Sequence, residues 1–141
     1  MVFDTGSAAD RHALERLEAD MIAWLATVTP DGQPQVFPIW FLWQDGEILV
    51  YSDYRAKRNA NIVANPKVAL HLHATAGGGD VVVVEGEARV DPGAPGPKAD
   101  TAYLAKYGAW IDDSMGGVDT FAATWNVPIR ITPTRGRASG A

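Results

Sequence analysis

A chain of 141 residues, 47% of them hydrophobic, is sized for one domain with a real core, since about two-thirds of the unfolded surface is buried at this length. Twelve Lys and Arg against seventeen Asp and Glu leave a net charge of −5, which excludes a broad nucleic-acid-binding face. With no cysteine there is no disulfide, thiolate metal site or thiol catalysis, and no apolar run approaches the ~20 residues that span a bilayer.

The opening "MVFDTGSAADRH" has neither the basic nor the apolar region of a secretion signal, so a soluble cytoplasmic protein is expected. A helix is predicted over residues 7–20, N-capped by Ser7 with Asp10 three residues on, and with Leu14, Leu17 and Met21 at helical spacing. Three strands follow, "MIAWLATVT", "PQVFPIWFLW" and "ILVYS", separated by the turns "PDGQ" and "QDGE". Short Gly-containing turns between them predict an antiparallel meander. Pro38 has no N–H for a ladder, so the second strand meets an edge, a bulge or a ligand there.

"RAKRNANIVAN" predicts a short helix ended by Asn65 and Pro66. "KVALHLHA" is a strand, "TAGGGD" a turn, and "VVVVEGEARV" a long strand in which Gly86 marks a bulge or bend. "DPGAPGP" is a loop. "KADTAYLAKYGAW" predicts a helix with Tyr103, Leu104 and Tyr107 on one side, broken by "IDDSMGG", with a brief helical turn around "DTFAAT". "WNVPIRITPTRGR" supplies a sixth strand, and residues 138–141, "ASGA", a loose tail. The expected fold is a single domain, residues 1–141, mainly β with peripheral helices (α+β), built as a small antiparallel barrel.

The feature that asks for an explanation is "YSDYRAKRNANIV", where Arg55, Lys57 and Arg58 fall within four residues. Charge clusters are usually solvated faces. These cations, however, enter the first turn of a helix, where the macrodipole disfavours them by a few tenths of a kcal/mol each. A helix N-terminus flanked by cations and by the Ser52 hydroxyl is suited to a phosphate, and that reading is preferred over the solvated face. No P-loop or G-x-G-x-x-G pattern is present.

The order of "DGQPQVFPIWF", "DGEILVYS", "RAKRNANIVANPKVALHL" and "GDVVVVEGEARV" resembles the pyridoxamine 5'-phosphate oxidase-like split β-barrels, over about residues 21–137. "ANPKVALHL", "GGDVVVVEGEA" and "FAATWNVPIRITPTRGR" are most similar to the actinobacterial branch that uses coenzyme F420. The resemblance implies a six-stranded antiparallel split β-barrel that is homodimeric, with a cofactor site at the subunit boundary. It implies a phosphate held by Arg55, Lys57, Arg58, Ser52 and Asn61. The family's usual Lys falls at Arg58, with Lys57 one residue earlier, and the two are not ranked. It also sets Val36, Phe37, Pro38, Ile39 and Trp40 beside the cofactor ring; a plain hydrophobic strand with a bulge is the alternative.

The activity so implied is hydride transfer from a reduced deazaflavin to a small electrophilic organic substrate, with no catalytic side chain required. An FMN-binding oxidoreductase of the same fold, or a non-catalytic carrier of flavin, F420 or haem, stands as the alternative. Residues 40–43, apolar on both faces, ask for cover that dimerisation would supply. Tyr103, Tyr107 and Trp110 are read as core before pocket. His71 and His73 alternate on one strand without the further ligands a metal needs. Neither a membrane nor a nucleic acid is expected as a partner.

Overall fold

The computed structural model describes residues 2–140. Seven strands form one antiparallel, curled sheet: β1 (Ala23–Val28), β2 (Pro34–Ile39), β3 (Leu42–Gln44), β4 (Glu47–Asp53), β5 (Lys67–Leu72), β6 (Val81–Val90) and β7 (Trp125–Ser139). Their order is β2-β1-β5-β6-β7-β4-β3, the half-barrel of a split-barrel fold. Four helices surround it: α1 (Ala8–Ala19), α2 (Lys57–Ala64), α3 (Thr101–Ser114) and α4 (Val118–Thr124). None is long and apolar enough to cross a membrane. The mainly β, antiparallel class with peripheral helices is the one expected from the sequence.

The seventh strand arises because "PQVFPIWFLW" is two strands, broken at Trp40 and Phe41. A ladder would normally satisfy the backbone groups there. Here α3 does so instead. The Phe41 N–H donates to the Tyr107 hydroxyl at 2.9 Å, and Lys106 Nζ donates to the Phe41 carbonyl at 2.8 Å. The expected meander is therefore not formed. β2 pairs with β1 and β3 with β4, so the two hairpins end at opposite edges of the sheet. Pro38 lies in β2, an edge strand, where a missing N–H costs little.

Ser7 N-caps α1 through the Asp10 N–H. The bulge expected at Gly86 is present, as a register shift between Glu85 and Gly86 in the β6–β7 ladder. A Cβ at Gly86 would lie 2.6 Å from the Thr132 carbonyl oxygen, so only glycine fits. Helix α3 runs past the expected break, through Ile111 to Ser114, because Tyr103, Tyr107 and Ile111 at i, i+4 and i+8 form one buried stripe. It stops where Gly116 and Gly117 take positive φ. The loose tail is also corrected. Ala138 and Ser139 pair with Val82 and Val81, because the ten-residue β6 offers ladder partners that far; Ala141 lies outside the described residues.

Two buried clusters result. One is largely aliphatic and packs α1 against the sheet through Leu17, Leu25, Val50, Leu70, Ile129 and their neighbours. The other is aromatic and packs α3 and α4 against β4 through Tyr51, Tyr103, Tyr107 and Phe121. The run at residues 40–43 serves both: Phe41 and Trp43 face the first cluster, Trp40 and Leu42 the second. The cover that the sequence assigned to a second subunit is thus supplied by α3 and α4 of the same chain.

Candidate functional site

At the end of β4 the ladder with β7 slips between Ser52 and Asp53, and the chain turns through Tyr54, Arg55 and Ala56 into α2. Ala56 occupies the N-cap, no side chain caps the helix, and its first turn carries no acidic residue. The N-terminal N–H groups of α2 are left for something other than a capping side chain.

The three cations separate in space. Arg55 turns back onto Asp53, with guanidinium to carboxylate distances of 3.0 and 2.8 Å. Those hydrogen bonds hold the Asp53 carboxyl down at about 2. Arg55 is thereby committed to its neighbour. Lys57 is exposed in the first turn of α2. Arg58 points inward: its Nε donates to Ser52 Oγ at 2.9 Å, and its guanidinium lies over the Phe37 ring, 5.3 Å from the centroid. Burial lowers its pKa, with the charge of Asp53 opposing. Among the described residues no carboxylate forms an ion pair with it. A half-buried guanidinium with both terminal NH2 groups unused is a strong recruiter of an anionic or oxygen-rich ligand.

Ser52 and Asn61 stand behind this group. Ser52 is fully buried, and its hydroxyl accepts from Arg58, so it fixes the guanidinium. Asn61 is buried too; its Nδ2 donates to Thr27 Oγ1 at 3.2 Å and Gln35 Oε1 at 3.1 Å, tying α2 to β1 and β2.

Two hollows meet at Arg58. The larger, about 610 Å³, is an open cleft between β2 and the start of α2, walled by Gln35, Val36, Phe37, Lys57 and Arg58. The smaller, about 240 Å³, lies under α3 and α4 and is walled by Pro38, Trp40, Tyr51, Tyr103, Met115 and Phe121, with Ile39 at its base. Arg58 and Trp125 line both. The strand expected beside a cofactor ring therefore runs from one hollow to the other, Val36 and Phe37 on the cleft, Pro38, Ile39 and Trp40 on the cavity. Arg55 lines neither.

The cavity's aromatic walls are fixed by polar handles. Trp40 stacks on Tyr107 at 4.7 Å and 1°, and on Phe121 at 5.7 Å and 13°. The Tyr51 hydroxyl lies 2.9 Å from Asp100 Oδ2 and 2.8 Å from the Pro95 carbonyl oxygen, while Asp100 Oδ1 N-caps α3 through the Tyr103 N–H. Burial raises the pKa of Tyr51, Tyr103 and Tyr107. Tyr103 and Tyr107 are core, as expected, and Tyr103 is also cavity wall.

Several wall residues escaped the sequence, among them Tyr51, Met115 and Phe121 on the cavity. Gln35 and Trp125 are brought in by the β1–β2 pairing and by the return of β7, and no local pattern marks either. Arg55's neutralisation did have a signal, an aspartate two residues before it.

The model of the family "Pyridoxamine 5'-phosphate oxidase" matches residues 9–137. Among solved structures, an FAD-binding protein from Mesorhizobium loti is 25% identical, with a TM-score of 0.67 over 92% of this chain and 91% of that one. A protein described as an F420 reductase is 27% identical, with a TM-score of 0.63 over 87% of this chain and 94% of that one. The heme storage protein HutZ from Vibrio cholerae, 13% identical with a TM-score of 0.66 over 95% of this chain and 96% of that one, shares the fold. No curated protein sequence matches the chain significantly. The matched span takes in β1 to β6, β7 as far as Arg137 and both hollows, and the chain belongs to the pyridoxamine 5'-phosphate oxidase family.

Proposed function

We propose that the chain is an oxidoreductase that uses coenzyme F420 to reduce a small electrophilic organic substrate. The carrying observation is Arg58: half-buried, oriented by Ser52, without an ion-paired carboxylate among the described residues, and beside the uncapped start of α2. Arg58, Lys57 and the first N–H groups of α2 would hold an acidic group of the coenzyme in the cleft. F420 has a phosphodiester and a glutamate tail, and an open cleft leaves such a tail room to run outward. When bound and reduced, the deazaflavin supplies a hydride. Ser52 holds the guanidinium in place, Asn61 fixes α2 against Gln35, and the stacked rings of the cavity keep water from the reacting face.

The preference for F420 over FMN rests on the likeness to the F420 reductase, and with it the expected F420-using branch. It no longer rests on three cations, because Arg55 is taken by Asp53. The haem-carrier reading is disfavoured: none of the three histidines lines either hollow, and His12 pairs with Asp80 instead.

A homodimer belongs to the proposal on new grounds. Val36 and Phe37, on opposite faces of the edge strand β2, are 58% and 54% exposed, and they border the cleft. A second copy laid on this edge would cover them and close the site.

Fluorescence titration with F420 and FMN in parallel tests the reading, with at least tenfold tighter binding of F420 expected. Light scattering on the same sample is expected to give twice the 15.1 kDa chain mass. Equal or tighter binding of FMN would move the assignment to a flavin enzyme, and a particle of one chain mass would remove the dimer.

A further inference from the structure

The chain has four lysines, and three are surface groups. Lys57, Lys67 and Lys98 are exposed, and Lys98 pairs with Asp119. Lys106 differs. It is half-buried in the second turn of α3, its Nζ 2.8 Å from the Phe41 carbonyl oxygen, 4.1 Å from the centroid of the Phe41 ring and 5.2 Å from that of Tyr107. Among the described residues no carboxylate forms an ion pair with it. Asp20, at the end of α1, acts on it only through space and is itself held by Arg16 at 2.6 Å.

An ammonium brings three N–H donors, and here a single acceptor, the Phe41 carbonyl, meets it. The Phe41 ring face and the charge of Asp20 both favour the ammonium, but neither takes a hydrogen bond from it. A neutral amine keeps the bond to Phe41, has no charge to desolvate and holds a free lone pair. Burial accordingly lowers Lys106 to about 8, with Asp20 opposing. At pH 8 such an amine has about a hundredfold more free base than an unperturbed lysine, whose proton leaves near 10.4. Lower basicity and partial cover offset some of that gain. The adjacent Tyr107 hydroxyl stays protonated throughout this range, because burial raises its pKa.

We infer that Lys106 is a nucleophilic lysine that accepts a short acyl group from an activated donor, an acyl phosphate or an acyl thioester. In that step the amine nitrogen bonds to the acyl carbon, the bond from that carbon to the phosphate oxygen or thiol sulfur breaks, and the amine proton leaves with the phosphate or thiol. Nothing is oxidised or reduced. The product suits the site for the same reason as the free amine: an amide is neutral, and its one N–H still donates to the Phe41 carbonyl. A carbamate formed with carbon dioxide is disfavoured, since it sets a new anion on a half-buried nitrogen that already feels Asp20. Rings on two sides keep the acyl chain short, and Trp110, 42% exposed one turn further along α3, offers it an apolar rim. The inference does not depend on which coenzyme fills the cleft.

Incubation of the full chain at pH 8 with acetyl phosphate and, separately, with S-acetyl-N-acetylcysteamine, followed by peptide mass spectrometry, tests this. Lys106 is expected to be acetylated at least fivefold faster than Lys57, Lys67 or Lys98 with one donor or both, and the donor that reacts identifies the source. The preference should vanish in concentrated urea. The chain acetylated at Lys106 should also lose the rise in unfolding stability between pH 8 and pH 10 that a titrating buried lysine gives. A Lys106 rate no greater than that of the exposed lysines with both donors would overturn the inference. So would a preference that survives in urea, which would come from local sequence and not from the fold, or an acetylated chain that keeps the rise. The rate comparison uses the native chain, so no variant has to fold.

Discussion

Strand β4 is buried on both faces, and the two faces do different work. Ile48 and Val50 enter the aliphatic cluster under α1, and Leu49 and Tyr51 the aromatic cluster under α3 and α4. On the aliphatic side branched chains from β1, β5, β6 and β7 interdigitate, and Ile39 and Val50 reach the smaller hollow and Leu25 the cleft from its margins. On the aromatic side flat rings stack, carry hydroxyl groups that need partners, and leave a slot. Branched aliphatic chains fill space to native density, whereas rings pinned by hydrogen bonds hold a shape. The aliphatic face chiefly secures the fold, with Val50 alone of its β4 residues reaching the cavity, and the aromatic face supplies the cavity's flat walls.

The largest effect that would break this contrast is on stability. Leu70→Ala, deep in the aliphatic cluster, is expected to cost about 2–5 kcal/mol in urea unfolding and to leave coenzyme affinity unchanged in the protein that remains folded. A cost under about 1 kcal/mol would show that this cluster is not the one securing the fold. Next is Tyr107→Phe. It keeps the ring stacked on Trp40 but removes the acceptor of the Phe41 N–H, a loss of about 1–3 kcal/mol if that group is left buried and unpaired. A neutral result would mean that the break between β2 and β3 does not depend on α3.

The smallest effect is on pH dependence. Burial lowers Lys106 to about 8, with the charge of Asp20 opposing, while the unfolded chain keeps its proton to about 10.5. Between these values the unfolded state binds more protons, so this group makes stability rise from pH 8 to pH 10. Lys106→Met should lack that rise. The buried tyrosines act in the opposite sense only above about pH 10, where the unfolded phenols ionise first. A rise of equal slope in both proteins would place Lys106 in solvent.

The same contrast explains what the sequence disclosed. The hairpin turns at "PDGQ" and "QDGE", the bulge at Gly86 and the helix after the basic junction were legible because their causes are local: turn residues, a missing Cβ, and a helix stop at Asn65 and Pro66. The break at Trp40 and Phe41 was not, because Tyr107 and Lys106, which satisfy the Phe41 backbone, come from a helix more than sixty residues later. The extension of β7 to Ser139 was hidden for a similar reason, since pairing with β6 overrides a weakly patterned "TRGRAS". In the site, the cation cluster and the strand from Val36 to Trp40 were visible as residue types. Their division between a cleft and a cavity was not, because it depends on where Trp125 returns. The covering of residues 40–43 by the chain's own helices likewise required the tertiary fold, and it moves the argument for a second subunit from Trp40 to Phe37.

The central claim is that the cations of the basic junction are unequal, and that the pair facing the cleft grips the coenzyme. Fluorescence titration of F420 into the native chain, Arg55→Ala, and the double variant Lys57→Ala with Arg58→Ala measures this directly. The account predicts a dissociation constant within twofold of native for Arg55→Ala and at least tenfold weaker for the double variant, about 1.4 kcal/mol or more. Equal loss in both, or no loss in the double variant, would contradict it.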